Sequence, residues 1–230
     1  EAFRAGQLLA QRFALGVKNG TQLVAFLKRL RARLEGLKEG DKMLVPGGIG
    51  GHPLLFIVER EEGGRHRFVV INTHPLAGLG YHQASAAEAP NKIKYKTCLV
   101  LPNVDQARLL DDAFWGLLLK LCCGQYDSKF NTPDRVYDLL LPYLVDQPLE
   151  AALAEAQEDP AAEWRSPQRA GAAHYKCASE AVFYLLRRQG LPAPRCKQAL
   201  LALRMEYLAM AANDLGYLSG LAASDRRVVE

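Results

Sequence analysis

The chain has 230 residues, a formal net charge of +4, 49% hydrophobic residues and 23% charged residues. This length and composition are typical of a globular protein and exclude the collagen-like, disordered and coiled-coil classes. The apolar runs are far shorter than the roughly 20 residues of a membrane-spanning helix. The excess of 29 basic over 25 acidic residues is mild, and no nucleic-acid-binding signature accompanies it. We therefore expect neither a nucleic-acid partner nor a membrane partner.

Five cysteines, an odd number, lie mostly within apolar patterns. Such thiols are typical of a reducing compartment, so the sequence predicts an intracellular protein, cytoplasmic or, for a secreted effector, in the host cytosol. There is no Cys-x-x-Cys pair and no pair of histidines at helical spacing, so we predict no metal and no cofactor. The first residue is Glu and no signal peptide is present, which indicates a segment of a longer protein.

The first hundred residues combine a helical segment with strands. Apolar residues recur every three or four positions with a break at Asn19–Gly20, which predicts a helical hairpin over residues 1–40. Short segments rich in Val, Ile, Phe and Tyr follow, bounded by turn residues as strands are. Glu61–Gly64 has the composition of a hairpin turn, so residues 42–101 are predicted to form an antiparallel sheet. Its predicted strands are Lys42–Val45, Pro53–Arg60, His66–Asn72 and Ile93–Leu101.

Residues 105–215 are predicted to be mainly helical. Thr132 is expected to cap a helix that starts at Pro133, and residues 159–167 are expected to form a loop. The fold class is therefore α+β, with one central antiparallel sheet, extra helices at both ends and a single domain over residues 1–230. The predicted helices are Asp105–Cys123, Pro133–Val145, Leu149–Gln157, His174–Gln189 and Arg195–Leu215.

The segment from Gln168 to Ala181 is a loop that contains Gly171 and leads directly into a helix. A helix N-terminus stabilises an anion and lowers the pKa of a thiol, so a nucleophile is favoured at this junction. A backbone N–H at the helix start and the upstream amide of Gln168 are the donors that an oxyanion requires. The thiol itself is missing, because the expected position is occupied by Ala173.

A candidate base lies in the predicted sheet. His52 precedes one apolar strand and Asn72 ends its hairpin partner, so we expect the two side chains to lie side by side, with the amide orienting the imidazole. His74, His82 and His174 are the alternatives for the base.

These segments resemble the papain-like cysteine peptidases. Gly51–His52 with its apolar strand is similar to the catalytic-histidine strand of that family, and Asn72–Thr73 with the glycines after it is similar to the asparagine turn. Gln168–Tyr175 is similar to the oxyanion glutamine and the nucleophile helix. The family's cysteine helix normally precedes the histidine strand, so the resemblance implies a circular permutation, which nearby chain ends tolerate.

The resemblance also assigns roles. It implies that His52 is the general base, Asn72 orients it, Gln168 donates to the oxyanion and Ala173 occupies the nucleophile position, with the sheet packed against the nucleophile helix. Residues that the resemblance places beside the substrate are Gly51, Gly171, Ala172 and His174.

Ala173 admits three interpretations. The chain is a form in which Cys is replaced by Ala, a naturally inactive binding module, or an interaction domain in which the His–Asn pair is coincidental. We favour the first, because the residues around the missing thiol are all retained. Cys177 lies one turn further along the same helix, and we expect it to be buried and inert.

An intracellular papain-like protein with terminal helices resembles deubiquitinases, so the expected substrate is ubiquitin or a ubiquitin-like protein. A Gly-Gly tail requires a narrow channel, and the glycines of residues 47–51 and 78–80 allow close backbone approach. The alternative is that they are turn glycines. The same glycine-rich stretch lacks the Lys and Ser/Thr of a phosphate loop, which excludes nucleotide binding. Carboxylates that would face the basic tail residues are Glu59, Glu61, Glu62, Asp159 and Glu163, unless they are simply solvated.

Overall fold

The computed structural model describes residues 20–86, 93–123, 130–156, 158–168 and 173–219. These residues form a mixed architecture of helices and antiparallel strands, which confirms the α+β class. The chain divides into two compact units, one ending at Tyr184 and the other starting at Leu185. The single domain over residues 1–230 stays a prediction.

A four-stranded antiparallel sheet organises the first unit. Its strands are β1 (Lys42–Ile49), β2 (His52–Arg60), β3 (His66–Ile71) and β5 (Cys98–Val104), in the order β1-β2-β3-β5. The predicted strand Ile93–Leu101 is wrong in one respect. Residues Tyr95–Lys96 form β4, which pairs with β6 (Trp164–Arg165) in a separate two-stranded sheet. Thr97 lies between β4 and β5, and its carbonyl oxygen accepts a hydrogen bond from the backbone N–H of Asn72.

The β1–β2 hairpin positions His52. Strand β1 continues four residues beyond its predicted end at Val45, through the glycine-rich stretch, and Ile49 pairs with His52. The two-residue connection Gly50–Gly51 has φ angles of 57° and 81°, the positive values that glycine adopts readily in a tight hairpin turn. His52 is therefore the first residue of its strand, at one end of the sheet.

Strands β2 and β3 are buried on both faces. Phe56, Val58 and Phe68 belong to the main hydrophobic core, which helices α1 (Gly20–Glu35) and α3 (Asp112–Cys123) help to form. The alternate residues, Ile57, Val69 and Ile71 among them, are fully buried as well. Helix α6 (Ala173–Arg188) contacts β2 through Cys177, and its Glu180 accepts a hydrogen bond from Thr97, which directly precedes β5. The sheet is thus the central layer of the unit.

The helical segment predicted at Asp105–Cys123 is interrupted. It forms α2 (Gln106–Leu109) and α3, because the Asp105 carboxylate accepts from the amide of Ala107 and the Asp111 carboxylate accepts from the amide of Ala113. Each aspartate therefore starts a new helix.

The remaining helices follow the sequence prediction closely. Pro133 is the first helical residue, as predicted, although Arg135–Leu140 is wound as a π-helix before α4 (Leu141–Val145). Helix α5 is Leu149–Glu155, and α7 (Ala193–Ser219) forms most of the second unit. The first helix of the predicted N-terminal hairpin falls on residues outside the described part. No helix among the described residues combines the length and hydropathy that crossing a bilayer requires.

Gly47 is expected to be intolerant of a side chain. A Cβ there would lie 2.5 Å from the Phe56 ring and 3.0 Å from Cys122 Sγ, and Phe56 is fully buried. Gly47→Ala should lower the free energy of unfolding by about 1–3 kcal/mol, measured by urea denaturation. The matched control is Gly116→Ala in α3, where the new methyl group meets only Leu27 at 3.9 Å and should be neutral or stabilising. Equal effects of the two substitutions would contradict the packing derived for β1.

Candidate active site

The loop after β3 holds Gln168 through two hydrogen bonds to one buried residue. The backbone N–H of Gln168 donates to the carbonyl oxygen of Thr73 at 2.9 Å. The Thr73 hydroxyl donates to Oε1 of Gln168, also at 2.9 Å. Thr73 is fully buried, so this pair of bonds is shielded from water. Gln168 is thereby fixed at the end of the sheet where β3 ends and β2 begins.

Helix α6 reaches the same place. Sγ of Cys177 lies 3.3 Å from Thr73 Oγ1 and 3.3 Å from the carbonyl oxygen of Pro53, the residue after His52. Ala173 is four residues before Cys177, about one helical turn. Cys177, one turn into α6, therefore lies next to the strand end that carries His52.

Ala173 is the first residue of α6, which is the position that the sequence predicts for a nucleophile. The first N–H groups of a helix have no partner within the helix and can donate to an anion. Gly171, Ala172 and the side chains of Ala173 and His174 lie outside the described part of the chain. The predicted substrate contacts of these residues stay predictions.

The amide of Gln168 is oriented by Thr73. Because Oε1 accepts from the Thr73 hydroxyl, Nε2 carries the hydrogens on the other side of the amide. Nε2 has no acceptor among the described residues. A donor held in this way is suited to an oxyanion that forms near the start of α6.

His52 stacks on another histidine. The ring centroids of His52 and His74 are 3.6 Å apart, with 22° between the planes. The His52 ring makes no hydrogen bond to any residue that the structure describes, so this stack is its defining contact. Burial, and then the neighbouring His52, lower the pKa of His74. His74 was considered from the sequence only as an alternative base.

Asn72 bonds to the loop rather than to His52. Its Nδ2 group donates to the carbonyl of Ala77 at 2.8 Å and to the hydroxyl of Tyr137 at 3.0 Å, and its Oδ1 accepts from the His74 amide at 2.9 Å. No Asn72–His52 hydrogen bond occurs in the described structure. The described hydrogen bonds of Asn72 therefore do not reach His52, and an orienting role of Asn72 stays a prediction.

His82 completes a buried chain of hydrogen bonds. Its Nδ1 lies 2.7 Å from the Lys96 carbonyl and must donate to it, so Nε2 is the acceptor for the Tyr137 hydroxyl at 3.1 Å. Burial lowers the pKa of His82 to about 4. His82 is consequently a neutral structural residue with both ring nitrogens occupied, which removes it as an alternative base.

Cys177 is buried, as predicted from the sequence. Burial raises the pKa of its thiol above the ordinary value, which disfavours the reactive thiolate. The contact between Cys177 and Thr73 therefore shows which face of α6 packs against the loop after β3. Cys177 itself is not expected to act as a nucleophile.

Most of the carboxylates predicted to face a basic substrate tail are committed elsewhere. Glu59 pairs with Lys42 at 3.1 Å, and both Glu61 and Asp159 pair with Arg67. Glu61 and Glu62 follow the far end of β2, about 30 Å from His52 at the ~3.3 Å rise per residue of an extended strand. The prediction is wrong for Glu59, Glu61, Glu62 and Asp159, because ion pairing and strand length remove them from the site.

The glycines predicted to line a substrate channel fall into two groups. A Cβ at Gly78 would lie 2.5 Å from the Tyr137 ring, so this glycine, like Gly47, serves packing. Gly51 and Gly80 have open space where a Cβ would point. Gly51 adjoins His52 and so remains placed for contact with a substrate backbone.

Sequence reasoning missed the contributions of Thr73, His74 and Tyr137. The signal for the first two was their position directly after Asn72. Tyr137 had no local signal, since it reaches the loop from a helix 65 residues away in the sequence.

No protein-family model matches the chain, and no curated protein or solved structure matches it significantly. The geometry above is therefore the basis for assigning a function.

Removing the Tyr137 hydroxyl should destabilise the protein. Tyr137→Phe leaves Nε2 of His82 and one N–H of Asn72 buried without their partner, at a cost of about 1–3 kcal/mol in urea denaturation. Tyr143→Phe is the matched control, because the Tyr143 hydroxyl bonds to Asp111 at the surface. The control should change stability by less than about 0.5 kcal/mol. A Tyr137→Phe protein as stable as this control would contradict the buried network.

Stability should fall as the pH falls from about 6.5 to 4. The folded state keeps His82 neutral with a pKa of about 4, whereas the unfolded chain binds that proton near pH 6.5. Protonation therefore favours unfolding, by an amount on the order of 3 kcal/mol at pH 4. Chemical denaturation at several pH values gives the free energy of unfolding as a function of pH. This free energy should fall less steeply with falling pH for His82→Gln than for the unmodified chain. Equal slopes would show that His82 is not buried as a neutral group.

Proposed function

We propose that the chain is a thiol-dependent isopeptidase or peptidase of the papain-like type, circularly permuted, with Ala173 at the position of the nucleophilic cysteine. The observation that carries the proposal is the junction at Thr73. There one residue holds the Gln168 amide and contacts Cys177, which in turn contacts the carbonyl of the residue after His52. The junction supports a site in which a thiol at position 173 would lie between an imidazole and an oxyanion donor.

The proposed reaction begins with proton transfer. With cysteine at position 173, His52 accepts the thiol proton, and the thiolate attacks the amide or isopeptide carbonyl. The tetrahedral intermediate collapses as the imidazolium of His52 gives its proton to the leaving amine, which leaves a thioester. Water then attacks the thioester, His52 accepts its proton, and the acid and the thiol are released.

Charge on the carbonyl oxygen is stabilised by two donors in this mechanism. They are the Nε2 group of Gln168 and the backbone N–H at the start of α6. Each such donor typically lowers the barrier by ~3 kcal/mol, because it is aimed at charge that develops only in the transition state. The hydrogen bond from Thr73 to Oε1 favours this use of Gln168, since it fixes the direction of the amide.

The proposed substrate is ubiquitin or a ubiquitin-like protein. Support comes from the turn Gly50–Gly51, whose second residue adjoins His52 and leaves open space at its Cα. A substrate with a Gly-Gly terminus has no side chains to exclude from such a turn, so its backbone can approach closely.

A binding module is the second candidate. It is favoured by one observation, the alanine at position 173, since the remaining cleft can hold a peptide without cleaving it. Binding of ubiquitin to the unmodified chain, with no gain of turnover on restoring the thiol, distinguishes this candidate.

Ala173→Cys should create hydrolysis of a fluorogenic ubiquitin amide. The matched control is Ala178→Cys, which adds a thiol to the same helix about 140° away around its axis. Only the first variant should turn over substrate and label with an electrophilic ubiquitin probe. Adding His52→Ala should then reduce kcat/KM by about 10²–10⁴-fold, the usual contribution of a general base. If Ala173→Cys is as inert as Ala178→Cys towards ubiquitin-like and simple peptide substrates, the enzyme proposal fails.

A further inference from the structure

We propose that His74 is a positioning residue that holds the ring of His52 by stacking, and that Asn72 acts on His52 only through His74. The inference rests on the proposed function in naming His52 as the base, and it concerns which residues keep that base in place.

The stack on His74 restrains the His52 ring, which no hydrogen bond to a described residue does. The planes of the two rings are 22° apart and their centroids are 3.6 Å apart, so the ring faces are stacked in van der Waals contact. His52 has no hydrogen-bond partner among the described residues. A histidine at the first position of a strand, after a Gly-Gly turn, would otherwise have several rotamers open to it.

His74 is itself fixed from both sides. Its backbone N–H donates to Oδ1 of Asn72 at 2.9 Å, and its Nδ1 accepts from the amide of Leu76 at 3.1 Å. The neutral ring of His74 therefore carries its proton on Nε2. Pro75 follows and opens a short 3₁₀ turn, which limits the backbone of the loop.

The anchor of this loop is Asn72. Its amide is held by the Ala77 carbonyl and the Tyr137 hydroxyl, so the carboxamide cannot turn without breaking buried bonds. A path of direct contacts thus runs from Tyr137 through Asn72 and the His74 backbone to the His52 ring. In this proposal Asn72, directly after β3, orients His52 indirectly, with His74 as the one residue between them.

Burial, and then the neighbouring His52, lower the pKa of His74, which favours a neutral His74 ring in the stack.

The first test uses the chain as it is, with alanine at position 173, and needs no activity. NMR of the histidine ring protons compares His74→Ala, His74→Phe and the control Leu76→Ala, whose side chain is 76% exposed on the same turn. His74→Ala should remove the ring-current shift of the His52 protons, whereas His74→Phe and Leu76→Ala should retain it. Retention of the shift in His74→Ala, in a variant whose unfolding curve shows that it is folded, would overturn the stack.

The second test uses the same substitutions combined with Ala173→Cys. Positioning predicts that His74→Ala lowers kcat about tenfold with little change in KM and slows alkylation of the introduced thiol at pH 6, since fewer thiolate–imidazolium pairs form. His74→Phe should restore both rates to within about threefold. Loss with Phe as large as with Ala would overturn positioning by stacking, as would no loss with Ala.

The two proposals fail in different ways. If Ala173→Cys hydrolyses nothing, the proposed function fails, and the NMR comparison still decides whether His74 holds His52. If Ala173→Cys is active and His74→Ala is equally active, the positioning role alone fails.

Discussion

The arrangement of the site depends on the pair of hydrogen bonds between Thr73 and Gln168. The two residues are 95 positions apart, and their bonds fasten the segment before α6 to the loop after β3. Because Thr73 is buried, the bonds form in a low-dielectric environment where breaking them would strand polar groups. One turn into α6, Cys177 Sγ lies 3.3 Å from the carbonyl oxygen of Pro53 at the start of β2.

A second, largely buried hydrogen-bond network holds the loop after β3 in place. The Lys96 carbonyl, the His82 ring, the Tyr137 hydroxyl, the Asn72 carboxamide and the His74 backbone N–H form one continuous chain of hydrogen bonds. Such networks specify one geometry, since a half-satisfied arrangement is costly. The π-helix Arg135–Leu140 is connected to this network, because it contains Tyr137, whose hydroxyl bonds to Asn72 in the loop. The loop after β3 in the proposed site is therefore held by polar contacts at the end of an apolar sheet.

The sequence predicted the features that depend on local patterns. Strands β2 and β3, the turn between them, the first helical residue Pro133 and the start of α6 follow from hydrophobic period and turn residues. Partnerships across the chain had no such signal. The bonds of Asn72 depend on Tyr137, and the division of residues 93–101 between two sheets depends on the distant strand Trp164–Arg165. The carboxylates were misassigned for the same reason, because Arg67 and Lys42 pair with them only in the folded chain.

The proposed function requires the start of α6 and the end of β2 that carries His52 to face each other across Thr73. A crystal structure of the Ala173→Cys variant tests it most directly. The account predicts that the introduced Sγ lies within about 4 Å of a ring nitrogen of His52, with Nε2 of Gln168 on the same side. A sulfur more than about 8 Å from that ring, or directed away from Gln168, would contradict it.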